Sequence, residues 1–188
     1  EYGDYSADFV RIGDEFDKKV YLTFDEGYEN GYTSAILDVL KEKNVPAVFF
    51  ITLPYAKSEP ELVQRMIDEG HVVGNHTSKH PNMTTISPEE GYDNVADLHN
   101  YVKEKFNYEM YLFRFPEGAF SEQNLALLQK LGRKTAFIGK VGQDGFGLQL
   151  EKALKETGIS TEGLCFDKEV HTTLAVVQKK EDGDRDFS

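Results

Sequence analysis

Tryptophan is absent from the 188 residues, and cysteine occurs once, at Cys165. A single cysteine excludes an internal disulfide framework and leaves the redox compartment open. Cations are scarce: 21 Lys and Arg stand against 33 Asp and Glu, for a net charge of -12 and a pI of about 4.9. So acidic a chain lacks the clustered positive charge that a phosphate backbone requires, which sets nucleic acid aside as a partner. No apolar run approaches the roughly 18 residues that a membrane span needs. Glu1 is followed by neither a charged nor an apolar leader segment, so any export signal is expected to be absent or already removed. The length suits one domain with a real core, or one domain plus a fragment.

What the chain does hold is an alternation of strand-like and helix-like segments. "KVYLTF" (Lys19 to Phe24) is β-branched and aromatic, reads as a buried strand, and meets Gly27. "TSAILDVLKEKN" follows as a helix with Ala35, Ile36, Val39 and Leu40 on one face. "AVFFIT" (Ala47 to Thr52) is a second strand, Ser58 with Glu61 forms a capping box for a helix to Asp68, and Gly70 stops it. "HVVGNH" is a third strand, and Ser87, Pro88 and Glu90 open the next helix. "YLFRF", a helix from Ser121 to Leu131 ended by Gly132, and "KTAFIG" complete the series. Such alternation implies an α/β fold with a parallel sheet or barrel, whose chemistry gathers at the C-terminal strand ends.

Three segments at those ends carry reactive side chains. Asp25 and Glu26 lie side by side where the first strand stops. "NHTSKH" sets His76 and His80 four apart, so one turn would aim both imidazoles at a common point. Two histidines and a carboxylate form a ligand set for zinc or a similar divalent ion, although such a pair alone is as readily a surface coincidence. In "RFPEG", Arg114 is suited to hold a carboxylate bidentately and Pro116 to fix the turn after it. His71 and His99 read instead as a strand edge and a solvated helix face.

These segments resemble the NodB-homology polysaccharide deacetylases, metal-dependent carbohydrate esterases that remove N-acetyl groups from chitin-like and peptidoglycan sugars. The family's Thr-Phe-Asp-Asp-Gly is similar to Thr23-Phe24-Asp25-Glu26-Gly27, and its His-Ser/Thr-x-x-His to His76-Thr77-Ser78-Lys79-His80. Its Arg-x-Pro, usually followed by an aromatic, is similar to Arg114-Phe115-Pro116-Glu117. The flanks "GYENGYT" and "RMIDEGHVVGNH" resemble the sporulation branch that makes muramic δ-lactam. The resemblance implies a distorted (β/α) barrel, here partial and incomplete, over residues 18–132, after an extension at 1–17. It implies Asp25 as general base toward water, Arg114 as its orienting partner, and Glu26, His76 and His80 as ligands of a divalent metal, zinc foremost. Backbone N–H groups around Phe115, Pro116, Glu117 and Gly118 would steady an oxyanion. The implied partner is an N-acetylated, peptidoglycan-like glycan, met by a monomer in an extracytoplasmic or wall-associated setting.

Departures from the family pattern are as specific as the matches. Glu26 replaces an aspartate, and its extra methylene pushes the carboxylate outward. Glu117 replaces an aromatic at the oxyanion turn, bringing negative charge where negative charge must develop. The family's later Asp-x-x-Asp-Trp and Leu-x-His motifs are missing, so slow chemistry or a non-catalytic carbohydrate- or metal-binding remnant is the alternative. From residue 133 the chain resembles instead the early part of ribokinase-like sugar kinases, in "AFIGKVGQDGFGLQLEKALKETGIS" and "TTLAVVQKKEDGDRDF". That family's anion hole and catalytic base lie downstream of such a segment and are not in this sequence. The expectation for 133–188 is a short α+β segment in which "KTAFIG", as a fifth parallel strand, and a helix Phe146 to Thr157 closed by Gly158 extend the incomplete barrel to about Thr157, while 158–188 is a loosely attached β segment with "EGLCF" and "TTLAVVQ" as antiparallel strands and a frayed acidic end. His171, in this portion, has no special claim to the missing acid role.

Overall fold

The computed structural model describes residues 21–130, 136–172, 177–179 and 185–187. The chain divides into two compact units, one of residues 18–131 and one built on residues 132–188.

In the first unit, β1 (Leu22–Glu26), α1 (Thr33–Lys43), β2 (Ala47–Ile51), α2 (Leu53–Ser58), α3 (Pro60–Asp68), β3 (Val72–Asn75), α4 (Pro88–Phe106) and α5 (Glu122–Lys130) follow in order. The sheet runs β1-β2-β3, all parallel, with Asp25 beside Phe50 and Phe50 beside Gly74. β2 is the central strand and the most apolar, as burial on both faces requires. Its Ala47, Phe49 and Ile51 enter a core with Leu37, Leu40, Tyr55, Val63, Met66, Val73, Leu98 and Val102. Each fully buried side chain of this kind contributes on the order of 1.5–3 kcal/mol. Arg65 ties α3 to α1: its guanidinium donates to Asp38 at 2.5 Å and to the Ser34 Oγ at 3.0 Å, while its Nε meets Glu69 at 2.7 Å.

Several sequence expectations change here. β1 is not a fully buried strand, since Tyr21 and Leu22 are exposed, and Lys19 and Val20 lie outside the described residues. On α1 the inward residues are Thr33, Leu37 and Leu40, with Ile36 half-buried and Ala35 and Val39 exposed. The apolar stripe is rotated because Leu37, one position past Ile36, fills the core. No Ser58–Glu61 box forms, because Thr52 starts an additional helix, α2, in which Ser58 donates to the Tyr55 carbonyl. "YLFRF" provides one parallel bridge, Phe113 to Asn75, rather than a strand. The Ser87–Glu90 box and the left-handed Gly70 (φ 82°) are as expected.

In the second unit, β4 (Ala136–Gly142), α6 (Gly145–Glu156) and β5 (Ser160–Asp167) form a strand-helix-strand in which β4 and β5 are parallel. Among the described residues "KTAFIG" therefore pairs with β5 in a two-stranded sheet and is not a fifth strand of the β1-β2-β3 sheet, and "EGLCF" is parallel, not antiparallel. A crossover helix between two strands makes that pairing the natural one. Asp144 caps α6 by accepting from the Phe146 and Gly147 N–H groups, and Gly158 ends it at φ 72°. The antiparallel pair is β6 (Val177–Lys179) with β7 (Arg185–Phe187), so Arg185–Phe187 of the acidic end is strand rather than frayed. The start of "TTLAVVQ" after Thr172 lies outside the described residues, as do Gly132 and Lys134.

Candidate active site

β1, β2 and β3 end at Glu26, Ile51 and Asn75, and the reactive side chains cluster past those ends. The ladder continues one step beyond them, because the Thr52 N–H donates to Glu26 O and the His76 N–H to Ile51 O. Side chains on a strand alternate between faces. Thr23 and Asp25 therefore share one face, and Phe24 on the other stacks on Phe49 with ring centroids 4.9 Å apart. Arg114 uses both residues of the first face: one Nη donates to Asp25 Oδ1 at 2.6 Å, the other to Thr23 Oγ1 at 2.9 Å. The guanidinium fork is thus divided between a carboxylate and a hydroxyl and does not grip Asp25 bidentately.

The histidines are placed by a polar scaffold. Asn75 donates to the Val95 carbonyl and accepts from the Thr77 N–H, each at 2.9 Å. Asn94 of α4 receives Ser78 N–H on its carbonyl and Lys79 N–H on its side-chain oxygen. Thr77 Oγ1 then accepts from the His80 N–H at 3.0 Å. This loop holds Thr77 and His80 at positive φ, 71° and 53°, a conformation β-branched residues rarely adopt. The outcome is convergence: His76 Nε2 and His80 Nε2 lie 3.1 Å apart, and His76 Nε2 is 3.9 Å from Asp25 Oδ2.

Protonation follows from these contacts. His76 Nδ1 is 2.9 Å from the Arg114 carbonyl, which can only accept, so Nδ1 carries the proton and Nε2 presents a lone pair. Burial pushes the His76 pKa below the ordinary imidazole value, against the pull of the carbonyl contact and of Asp25, which keeps the ring neutral. A neutral, carbonyl-oriented histidine whose free nitrogen faces a second imidazole is the donor arrangement a divalent cation takes. The histidine pair therefore fits a metal.

Glu26 does not join it. Among the described residues no group of three His, Cys, Asp or Glu side chains lies close enough to hold an ion. Strand alternation supplies the reason, as Glu26 falls on the face opposite Asp25. Its pKa is raised, first by burial and then by the Glu29 and Asp25 carboxylates. Glu29 in turn accepts from Thr33 N–H and from the buried Tyr55 hydroxyl. Among the described residues the carboxylate within 4 Å of His76 is that of Asp25.

At the expected oxyanion turn, Pro116–Gly118 forms a single 3₁₀ turn. Pro116 has no N–H and Gly118 donates to Phe115 O, which narrows the donors to Phe115 and Glu117. Glu117 sits at φ 59° and its carboxylate accepts from Asn82 at 2.7 Å. His71, read from sequence as a strand edge, is instead 6% exposed and accepts from the Ala47 N–H. His99 is half-buried on α4. Thr23, Asn75 and Asn94 escaped the sequence reading. Only Thr23 left a signal, two positions before Asp25 on one strand face.

A short parallel sheet thus carries an acid, a basic fork and a histidine pair past its strand ends. The chain belongs to the polysaccharide deacetylase family, which matches residues 13–136. The pfkB family of carbohydrate kinases matches residues 122–188. The chain is 41% identical over 131 residues to the peptidoglycan-N-acetylmuramic acid deacetylase PdaA of Bacillus subtilis, covering 69% of this chain and 50% of that protein. It is 50% identical over 127 residues to an uncharacterised 30.6 kDa protein of Geobacillus stearothermophilus, covering 67% of this chain and 48% of the other. A family 4 carbohydrate esterase from Bacillus anthracis superposes with a TM-score of 0.59 at 36% identity, over 76% of this chain and 78% of that one. The chain spans about half the length of the curated relatives it matches.

Proposed function

We propose that this chain removes N-acetyl groups from an amino-sugar polysaccharide of the cell wall, peptidoglycan-like or chitin-like, in an extracytoplasmic setting. The observation that carries the reading is the Asp25 carboxylate, with Oδ1 held 2.6 Å from Arg114 and Oδ2 facing His76 Nε2 at 3.9 Å. One oxygen is thereby fixed and the other directed at the place the histidines define. Asp25 is the general base that takes the proton from the attacking water, a role worth typically 10²–10⁴-fold in rate. Arg114 keeps it aimed, and the N–H groups of Phe115 and Glu117 are the donors for the oxyanion. His76 and His80 would hold a divalent ion, zinc foremost, which when bound would supply Lewis acidity and lower the pKa of water toward roughly 7.

The test is acetate release from N-acetylated glycan fragments, with and without added zinc. Wild type is expected to release acetate, and Asp25→Asn to lose at least about 10²-fold in turnover. Equal rates from the two would reject the assignment of Asp25. The second reading, a non-catalytic carbohydrate or metal binder, draws on the separation of Glu26 from the histidines. It requires zinc or glycan binding without acetate release.

A further inference from the structure

Phe50 and Gly74 take no part in the chemistry just described, yet they stand directly beneath it. Asp25, Phe50 and Gly74 are in register on three adjacent parallel strands, so all three positions look onto one face of the sheet. Phe50 is 6% exposed, but it points away from the cluster that takes Phe49 and Ile51. What covers it is Arg114, whose guanidinium carbon lies 4.2 Å from the ring centroid. The ring itself occupies the space over Gly74, where an added Cβ would come within 2.5 Å of it.

Arg114 enters from beyond β3, its N–H donating to Asn75 O, and its side chain has to cross the sheet to reach Thr23 and Asp25 on β1. Gly74 leaves that crossing open, and the Phe50 ring gives it a flat floor. The charge contact alone is a weak restraint, because the Arg114 and Asp25 side chains are 36% and 44% exposed and half-solvated ion pairs hold little. A planar guanidinium stacked on an aromatic face gains a second attraction and loses its freedom to tilt.

We propose that Phe50, seated in the notch left by Gly74, is the positioning residue that fixes Arg114 and through it the catalytic carboxylate of Asp25. The turnover part of the test rests on the deacetylase reading; the spectroscopic part does not. In the full chain, Phe50→Leu and Phe50→Met keep apolar bulk and remove the ring face, whereas Phe50→Tyr keeps the face. The Arg114 Nε–H and Nη–H resonances are to be assigned by NMR through their loss in Arg114→Lys. They are expected upfield from the ring current in wild type and in Phe50→Tyr, and displaced toward free-arginine values in Phe50→Leu and Phe50→Met. In parallel, kcat is expected to fall about tenfold in Leu and Met variants, the rate equivalent of one cation–π contact, with KM and zinc affinity within about twofold. Gly74→Ala should lower kcat in the wild-type background and change it little on top of Phe50→Leu.

Arg114 resonances unmoved by both Leu and Met substitutions would overturn the proposal. So would equal losses from Gly74→Ala in both backgrounds, as far as Gly74 is concerned. Absence of acetate release from wild type, with the Arg114 resonances still dependent on the Phe50 ring, would reject the deacetylase reading and leave the positioning role standing.

Discussion

At the scale of single residues, His71 shows how a side chain outside the site sets a pH limit on the fold. Its Nδ1 accepts the Ala47 N–H at 3.2 Å, joining the start of β2 to the residue before β3, while Phe49 meets the ring edge-on. Burial lowers its pKa, Arg65 lowers it further, and the Glu69 carboxylate opposes both. A protonated Nδ1 would face the amide N–H it now accepts from, so the folded state prefers the neutral ring. The folded value thus lies below the unfolded value of about 6.5, and between the two the unfolded chain binds more protons. Stability is full above about 6.5 and declines as pH falls through the depressed value. His71→Asn keeps a side-chain acceptor and removes the titration. Urea unfolding at pH 7.5 and pH 5 should show wild type losing more stability than His71→Asn over that interval. Equal losses would refute the linkage.

At the scale of elements, what sequence revealed and what it hid separate along physical lines. Local signals held where the responsible atoms are close in the chain. Ser87 and Glu90 form their box, and Gly70 and Gly158 take positive φ at helix ends. Ser58–Glu61 failed because a competing cap, Thr52 with its oxygen near the Tyr55 N–H, starts a helix earlier and uses Ser58 as its end. "YLFRF" has the composition of a strand but pairs only at Phe113, since pairing depends on partners remote in sequence. The histidine pair was legible from its spacing. Its support was not, because Asn75 and Asn94 act through backbone groups that no spacing identifies. Asn75→Ala should therefore leave the Thr77 N–H without its partner in a buried setting, at about 1–3 kcal/mol, and remove the tie to the Val95 carbonyl of α4. Ser87→Ala, which removes a cap on the same helix, should cost about 1 kcal/mol and leave zinc affinity unchanged. Isothermal titration with zinc should show loss of affinity only for Asn75→Ala; unchanged binding there would mean the loop is held by its other contacts.

At the scale of the whole molecule, the two units differ in kind. Residues 18–131 carry the deacetylase motifs and a core around Phe49, Leu98 and Val102, whereas the unit built on 132–188 rests on β4, α6 and β5 with Leu154 inside. The two family matches overlap across residues 122–136, the same stretch in which the units divide and in which the sequence resemblance changes. A chain whose halves each close their own backbone pairing has no need to unfold as one, and multi-unit proteins depart from two-state behaviour for that reason. Leu98 and Leu154 are both fully buried, one in each unit. Truncating either to alanine removes comparable apolar volume, at about 2–5 kcal/mol. Calorimetry of the full chain should show two transitions, with Leu98→Ala lowering one and Leu154→Ala the other. Limited proteolysis while only the less stable unit is unfolded should then leave the other resistant. A single transition displaced by both substitutions would show that residues 18–131 and 132–188 fold as one cooperative body, and that the change in sequence character near residue 132 is not a boundary in stability.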